Sequence, residues 1–451
     1  MSARRPNRLG RVWVACTLGC ACAWARPARA GIEDTFGLGP GAMALAGSYA
    51  ARPGTFAAAY YNPAGLAPGG NVVEKGGFFE ASFSLVYGHP SLYVTGARGQ
   101  PIQTPQAFDT AGAVLGARFS VGQPFHLDGL DMGVAVYVPS HLLEWTIRPD
   151  DTPQWALLTD RTQVLTANLA LAYRVFRWLS LGAGVRVTFD IQTNITGELT
   201  HVNYQTDQAS AQLGTDATVY GRAAPVLGIL ATPLDGLRIG MSYRGESYVD
   251  DWGSAIVATG PQVGLGNLGY DFRFAHYFEP TEVTLAVSAD LGAGIDVSAD
   301  LTYGRWSDAL STNRNFFGCG TTPCDGPSPI WGDTWTPAFG VRWRATRAFS
   351  LMAGYRFQKS PLSNFGGPSN LLDNDRHVPS TGLELDLSKL VPSLDARITV
   401  GLQSVILVPR TEVKDFERFP SNAAFESNPG YPSYSYGGNL VAGSIGADAR
   451  W

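Results

Sequence analysis

The sequence is poor in lysine, histidine and cysteine, and beyond its first thirty residues it holds no long apolar run. A transmembrane helix needs about 18 or more consecutive apolar residues, so none is predicted after the leader. Convincing helical periodicity is missing as well, whereas the chain contains 53 glycines and 11% aromatic residues. These absences exclude a helical membrane protein and leave an all-β protein, whose kind must be decided from the pattern within its strands.

The first thirty residues predict a secretory signal peptide that is cleaved after Ala30. A head with four arginines precedes an apolar stretch at residues 12–24, and the small-x-small sequence Ala28-Arg29-Ala30 follows. This order of segments is typical of an export signal. A lipoprotein signal would instead place a lipid on Cys20, but Thr17 stands where such signals carry an aliphatic residue.

Charge and cysteine content narrow the possible partners. The formal net charge is −5, and removal of the leader, with six arginines and no acid, leaves the mature chain at −11. This acidic balance excludes nucleic acid as a partner. The two cysteines outside the leader, Cys319 and Cys324, stand in a turn-rich stretch, and in an exported protein they predict a loop disulfide. No histidine lies nearby, so we predict no metal site, and nothing indicates a cofactor.

Long segments of the mature chain alternate between apolar and polar residues with a period of two, as β-strands require. In the segment 180–194, one face carries Leu181, Ala183, Val185, Val187, Phe189 and Ile191, and the other carries Gly182, Gly184, Arg186, Thr188, Asp190 and Gln192. The same division recurs along the chain, and charged residues of both signs fall almost wholly on one face. Arginines on that face can pair with acids such as Asp190, Glu246 and Asp300.

A soluble β-sandwich also alternates, so strand length and aromatic placement must separate it from a membrane barrel. Many predicted strands have roughly ten to fifteen residues, against about five or six in most sheets. Aromatic residues stand at the ends of the apolar faces, where a bilayer has its interfaces: Tyr173, Tyr303, Trp335 and Trp343. These features predict a 14-stranded antiparallel transmembrane β-barrel in the outer membrane of a Gram-negative bacterium, in contact with lipid and lipopolysaccharide.

The predicted connections alternate between short turns and long loops, which is the asymmetry of outer-membrane barrels. The even number of strands returns both termini to the periplasm. Strands are predicted at 237–250 and 270–289 among others, and loops at 201–215 and 251–269. The last strand ends at the aromatic Trp451, which is typical of the signal read by the outer-membrane assembly machinery, so this machinery is a predicted partner.

Residues 31–69 break the strand rules. Gly39-Pro40-Gly41 and Asn62-Pro63 interrupt any ladder, yet the segment is too apolar for a free tail. A lumen enclosed by fourteen strands is wide enough to need a plug. The predicted organisation is therefore a signal peptide at 1–30, a hatch inside the lumen at 31–69 and a barrel at 70–451.

The segment FGLGPGAMALAGSYAARPGTFAAAYYNPAGLA (residues 36–67) resembles the N-terminal hatch of the FadL-type family of outer-membrane transporters for long-chain fatty acids and other hydrophobic compounds (OmpP1/FadL/TodX). Weaker likenesses follow in the family's order at 137–145, 277–291 and 303–308. The resemblance implies uptake of a hydrophobic compound, with ligand capture in extracellular loops, binding beside the hatch and lateral release through an opening in strand 3.

The resemblance also implies roles for individual residues. The hatch and gating motif falls on Asn62, Pro63, Ala64 and Gly65, and the strand-3 opening on Pro139 and Ser140. A proline removes one ladder hydrogen bond, which suits an opening, although an ordinary strand-end proline is the alternative. Asn62 can also cap the turn before Pro63, so a purely structural role stays open.

Ligand contacts are predicted from the start of the hatch and from lumen arginines: Gly31, Ile32, Phe36, Arg186, Arg342 and Arg356. The arginines could meet a ligand carboxylate, or they could be members of the lumen charge network. The loops at 201–215 and 251–269 are more polar than the capture loops of the family. The identity of the ligand therefore remains open between fatty acids and other hydrophobic compounds.

Other functions fit the sequence less well. An enzyme needs a nucleophile and a base together, and the histidines near strand ends have no recognisable partner motif, so we predict no enzyme. A non-specific porin gives no reason for a hatch. The remaining alternative is a non-transporting barrel of this kind that serves as a structural or secretion and assembly partner. In either case a monomer is predicted.

Overall fold

The computed structural model describes residues 35–52, 54–67, 79–102, 109–122, 127–140, 155, 164–203, 208–259, 267–308, 331–363, 372–391, 393–414 and 432–451, and within 190–217 and 248–278 the backbone alone. The predicted signal peptide, Gly31, Ile32 and the Cys319–Cys324 pair lie outside these residues. No helix in the described part of the chain is long and apolar enough to cross a membrane.

The described residues are mainly β-strand. The strands are β1 (Phe79–Gly96), β2 (Thr110–Ser120), β3 (Leu130–Pro139), β4 (Thr166–Phe176), β5 (Leu179–Asn203), β6 (Gln208–Leu234), β7 (Leu237–Arg244), β8 (Ser247–Thr259), β9 (Asn267–Glu279), β10 (Thr281–Asp290), β11 (Ile295–Arg305), β12 (Thr334–Arg344), β13 (Phe349–Gln358), β14 (Arg376–Asp386), β15 (Ala396–Val413) and β16 (Ser433–Arg450). Two short helices precede them, α1 (Pro40–Ala44) and α2 (Ala58–Tyr61), followed by a 3₁₀ turn at Pro63–Leu66.

Fourteen of the strands close into a ring. Its order is β4-β3-β2-β1-β16-β15-β14-β13-β12-β11-β10-β7-β6-β5, and pairing of β4 with β5 completes the circuit. The ladders between ring neighbours are antiparallel, and β1 pairs with β16 from Glu80↔Arg450 to Gly96↔Tyr434. The predicted fold class, an antiparallel barrel of fourteen strands, is confirmed.

The remaining two strands, β8 and β9, form a hairpin outside the ring. β8 pairs in parallel with β5, where residues 195–199 of β5 lie beside residues 255–259. The loop predictions at 201–215 and 251–269 were therefore wrong for most of their length, and the predicted strands 237–250 and 270–289 each merged a ring strand with part of the hairpin. The reason is that β4 pairs with β5 only up to Thr166↔Thr188, which leaves an open edge of β5 for β8 to cover.

The two faces of the ring strands agree with the sequence pattern. Large apolar side chains point outward and are exposed, as for Leu171 at 47% and Ile239 at 50%, while the alternate positions are buried. Aromatic residues cluster at both ends of the outward surface. Phe79 lies 5.9 Å from Trp451 between ring centroids at the end with short turns, and Tyr303 lies 5.0 Å from Trp335 at the opposite end. Apolar outer faces with aromatic residues at both ends suit a bilayer.

Candidate functional site

The N-terminal segment, residues 35–52 and 54–67, contacts the inward face of every ring strand. Its side chains are almost entirely buried, including Phe36, Leu45, Tyr60 and Leu66. Contacts with β1, β4, β10 and β11 involve Gly88, Ala170, Ser288 and Asp300, and the other ten strands approach it through glycines. The segment therefore lies across the lumen.

Ten ring strands other than β1 each present an inward glycine to this segment, and we call these ten residues the glycine belt; Gly88 of β1 makes a further close approach, to Phe36. The belt consists of Gly116, Gly133, Gly182, Gly228, Gly240, Gly340, Gly354, Gly382, Gly401 and Gly446. A Cβ atom added at any of these positions would lie between 2.1 and 3.2 Å from an atom of the segment. Side chains larger than hydrogen would therefore collide with the segment at this level of the wall. The belt was not predicted, although its signal, an inward glycine on each of these strands, is present in the sequence.

Asn62 joins three parts of the site. Its Oδ1 accepts a hydrogen bond from the Ala64 N–H at 3.2 Å, which caps the turn that begins at Pro63. Its Nδ2 donates to the Ala50 carbonyl at 2.8 Å and to the Ile229 carbonyl of β6 at 3.0 Å. Asn62 thus has a capping role, as predicted, but it caps the turn that begins at Pro63 and not one before it. The two further bonds tie this turn both to the earlier segment and to the barrel wall. A gating role of Asn62, Pro63, Ala64 and Gly65 stays a prediction.

Asp300 on β11 is the main polar anchor of the segment. Its carboxylate accepts hydrogen bonds from the backbone N–H groups of Tyr49 at 3.0 Å and Ala50 at 2.9 Å, and from the Ser48 hydroxyl at 3.0 Å. Two backbone donors that would otherwise be buried without an acceptor are thereby satisfied. Asp300 was predicted only as a partner for lumen arginines, because the contact between the segment and this part of the wall cannot be recognised from the sequence.

The predicted ligand-binding arginines lie in different surroundings. Arg356 donates to the carbonyl of Thr35 at 3.2 Å, so it is brought close to the neighbouring Phe36. Arg186 forms a buried ion pair with Glu279. Arg342 pairs with Glu384 nearer the end with short turns. The structure thus places Arg356 against Thr35, the residue before Phe36. Arg186 and Arg342 belong to ion pairs, which agrees with the alternative of a lumen charge network.

One side of the lumen is apolar, and we call its buried residues the apolar cluster. The cluster joins Phe36, Leu38, Met43, Phe56, Tyr60 and Tyr61 of the segment to Val86, Val94, Val114, Ala135, Tyr137, Val378, Val405, Leu407, Tyr434, Tyr436, Leu440 and Ala442 of the wall, with Ala42, Ala57, Trp155 and Leu372. The wall residues come from β1–β3 and β14–β16. The cluster extends from the segment toward the end of the ring that carries the long connections.

Charged residues line the end of the lumen where the connections between strands are short, and we call these residues the charged ring. They are Glu80, Arg118, Asp131, Arg238, Asp296, Arg342, Glu384, Arg397 and Asp448. Arg238 and Asp296 lie 3.6 Å apart, and Arg397 and Glu384 lie 3.6 Å apart. The segment is fastened to this ring, because Arg52 forms an ion pair with Asp296 at 2.8 Å.

Pro139 and Ser140 lie where β3 ends. β3 pairs with β2 as far as Gly112↔Pro139, but its pairing with β4 stops at Tyr137↔Thr166. The N–H of Ser140 donates to Ala111 of β2 at 2.9 Å. Since successive residues of a strand direct their backbone groups to opposite sides, the nitrogen of Pro139 faces β4 and has no hydrogen to donate. The proline thus coincides with the end of the β3–β4 ladder, and a lateral opening there stays a prediction.

The fold and the segment define an outer-membrane transport barrel. The sequence matches the family described as outer membrane protein transport protein (OMPP1/FadL/TodX) over residues 20–402, and the chain belongs to this family. An outer-membrane transport family and a β-barrel fold point to the outer membrane of Gram-negative bacteria.

Three individual proteins illustrate the likeness. The chain is 22% identical over 390 residues to alkane uptake protein A of Marinobacter nauticus, covering 82% of this chain and 83% of that protein. The structure of a Pseudomonas aeruginosa FadL homologue aligns with a TM-score of 0.60 at 15% identity, over 95% of this chain and 99% of that one. The toluene transporter TodX of P. putida aligns with a TM-score of 0.53 at 15% identity, over 91% and 97%. These relatives are transporter channels and not enzymes.

Proposed function

We propose that this protein takes up uncharged or weakly polar hydrophobic compounds across the outer membrane, as a monomer. A ligand would be captured among the extracellular loops, bind against the apolar cluster beside the N-terminal segment, and leave sideways into the bilayer near the end of β3. The observation that carries this proposal is the contrast between the apolar cluster on one side of the segment and the charged ring beyond it.

The apolar cluster supports the binding step. Transfer of an apolar molecule from water to an apolar surface yields about 25 cal/mol for each Å² that is buried. The cluster includes segment residues such as Phe36 and Phe56, so a ligand that reached it would touch the segment directly.

The charged ring supports lateral release. A hydrocarbon passing toward the periplasm would separate ion pairs such as Arg342–Glu384 without offering them any polar partner. An exit into the bilayer avoids this cost, because the ligand moves from one apolar surface to another. The missing ladder bond at Pro139 lies on the same side of the lumen as the apolar cluster, to which β3 contributes Ala135 and Tyr137.

The names of the relatives suggest the class of ligand. One is named for alkane uptake, and one solved structure is described as a toluene transporter. Both ligands lack an ionised group. We propose that uncharged hydrocarbons of this kind are the compounds transported, in preference to fatty acids, whose carboxylates are ionised at neutral pH.

Replacement of Pro139 with valine tests the lateral route. Valine supplies the missing N–H and a strand-favouring side chain, so it should extend the β3–β4 ladder and add on the order of 1 kcal/mol of stability. We expect uptake of hexadecane and toluene by cells to fall severalfold, with unchanged leakage of a small polar dye. Pro337→Val on β12, far from β3, is the matched control and should leave uptake unchanged. Equal hydrocarbon uptake by P139V and the parent would contradict lateral release, and no uptake by the parent would favour the structural or assembly role.

A further inference from the structure

Tyr60 occupies an unusual position between two arginines of the barrel wall. It belongs to α2 in the N-terminal segment and is fully buried. The guanidinium carbon of Arg186 on β5 lies 5.3 Å from the centroid of its ring, and that of Arg244 on β7 lies 4.5 Å from it. Both separations are within the range of cation–π attraction.

Each of these arginines is also paired with a glutamate at the root of the β8–β9 hairpin. Arg186 pairs with Glu279, the last residue of β9, and Arg244 pairs with Glu282 near the start of β10. The Arg186 and Glu279 side chains are only 3% and 4% exposed. The other strand of the hairpin begins at Ser247, whose hydroxyl donates to Thr188 of β5 at 2.6 Å. The root of the hairpin and the segment therefore share one buried charge cluster.

We infer that Tyr60 is a positioning residue that couples the β8–β9 hairpin to the N-terminal segment. A buried arginine that loses its glutamate becomes an uncompensated charge, so the pairs hold their geometry tightly. The attraction between a guanidinium and an aromatic ring is largest when both are removed from water. Any displacement of Glu279 or Glu282 consequently moves the arginines and changes their cation–π contacts with the Tyr60 ring.

Tyr60 lies two residues before Asn62, which caps the turn at Pro63. A shift of the hairpin root would thus reach the turn of the segment through the arginines and Tyr60. The meaning of this coupling for transport rests on the proposed function: a ligand that engages the extracellular hairpin would loosen the part of the segment that adjoins the apolar cluster.

A double-mutant cycle read by hydrogen exchange tests the coupling directly, without ligand. Amide exchange of residues 54–67 is measured by mass spectrometry in the purified barrel for the parent, E279Q, Y60L and the E279Q/Y60L double variant. We expect each single variant to speed exchange in this stretch on the order of ten-fold. The double variant should show no further increase, because both changes remove the same link. Y60F keeps the ring over the arginines, so E279Q should speed exchange in the Y60F background as it does in the parent.

Asp296→Asn is the matched control, since it breaks the Arg52–Asp296 pair that holds the same segment to another part of the wall. Its effect should add to that of Y60L. Additive effects of E279Q and Y60L, parent-like exchange in E279Q, or loss of the E279Q effect in the Y60F background would overturn the coupling. If E279Q does not fold, E282Q takes its place in the cycle, because Glu282 is 14% exposed and makes the second pair. None of these measurements depends on transport, so the coupling can be tested even if the protein takes up no hydrocarbon.

Discussion

The two sides of the lumen differ in how much apolar packing they add to the hydrogen bonds that hold the N-terminal segment. On the side of β6, β10 and β11 the contacts are directed hydrogen bonds, from Asp300, from Ser288 to the Ala51 carbonyl, and between Asn62 and β6. On the side of β1–β3 and β14–β16, Arg118, Ser380 and Gln403 also donate hydrogen bonds to backbone carbonyls of the segment. Only on this side do apolar residues of the segment such as Phe36 and Phe56 join a large apolar cluster with the wall. Hydrogen bonds require one geometry, whereas apolar contact does not. Hydrogen bonds therefore fix the position of the segment on both sides, and the apolar contacts of the second side are where a ligand could replace wall contacts at little cost.

Among the predicted changes, deletion of most of the segment should have the largest effect, because it removes contacts on both sides of the lumen. A variant that lacks residues 31–60 loses both kinds of contact, yet the ladders of the ring remain. We expect a folded barrel, shown by heat-modifiable gel mobility, with strongly raised leakage of small polar dyes. A barrel that does not fold, or leakage equal to that of the parent, would show that the segment does not block the lumen.

A pair of substitutions, one on each side, should separate the two kinds of contact. Asp300→Ala leaves the N–H groups of Tyr49 and Ala50 without their acceptor, at a cost of about 1–3 kcal/mol for each buried group. We expect dye leakage to rise while hexadecane binding stays within about two-fold of the parent. Leu407→Ala in the apolar cluster should do the reverse and weaken hexadecane binding about ten-fold, since it removes roughly 1–2 kcal/mol of apolar contact. Binding to detergent-purified protein and leakage in cells provide the measurements. The contrast fails if both variants change both quantities alike.

The glycine belt gives the smallest predicted effect. A Cβ at Gly354 of β13 would lie 2.4 Å from the backbone carbonyl carbon of Leu45, which cannot move aside alone. We expect Gly354→Val to lower the free energy of unfolding by about 1–3 kcal/mol, measured by urea titration in micelles. Gly443→Val on the outer face of β16 is the control, because its nearest neighbour is the flexible end of Leu402 at 3.2 Å. Similar losses for both variants would mean that the belt has no special relation to the segment.

The ring and its faces were predictable from sequence because each depends on neighbours along one strand. Alternation with period two identified the inward and outward positions, as for Arg186 and Leu181, and the number of ring strands was right. The β8–β9 hairpin was not predictable in this way. The hairpin depends on the part of β5 beyond Thr188, whose edge is not paired with β4. This edge is open because β4 starts only at Thr166, about twenty residues earlier in the chain, and its ladder with β5 ends at Thr188.

The site was only partly predictable for a related reason. The turn at Asn62-Pro63 could be recognised because asparagine caps such turns with its own side chain, and the contact with Ala64 confirms it. The anchor at Asp300 joins residues about 250 positions apart. Nothing in the residues around Asp300 distinguishes an acid that accepts backbone N–H groups from one that pairs with an arginine. Only the folded wall assigns Asp300 to the segment and Arg186 to Glu279.

The seam between β1 and β16 sets the order of events during assembly. The N–H of Phe79 donates to the carbonyl of Trp451 and the N–H of Trp451 donates to the carbonyl of Phe79, so the ring closes by joining residues from the two ends of the barrel sequence. Contacts between residues so distant in sequence form slowly, because loop closure must come first. Since the N-terminal segment touches strands all round the ring, it gains its full burial only when this seam is shut. A nascent barrel must therefore keep an apolar stretch of about thirty residues shielded until its last ladder forms, which makes the unclosed intermediate the species most exposed to aggregation and proteolysis.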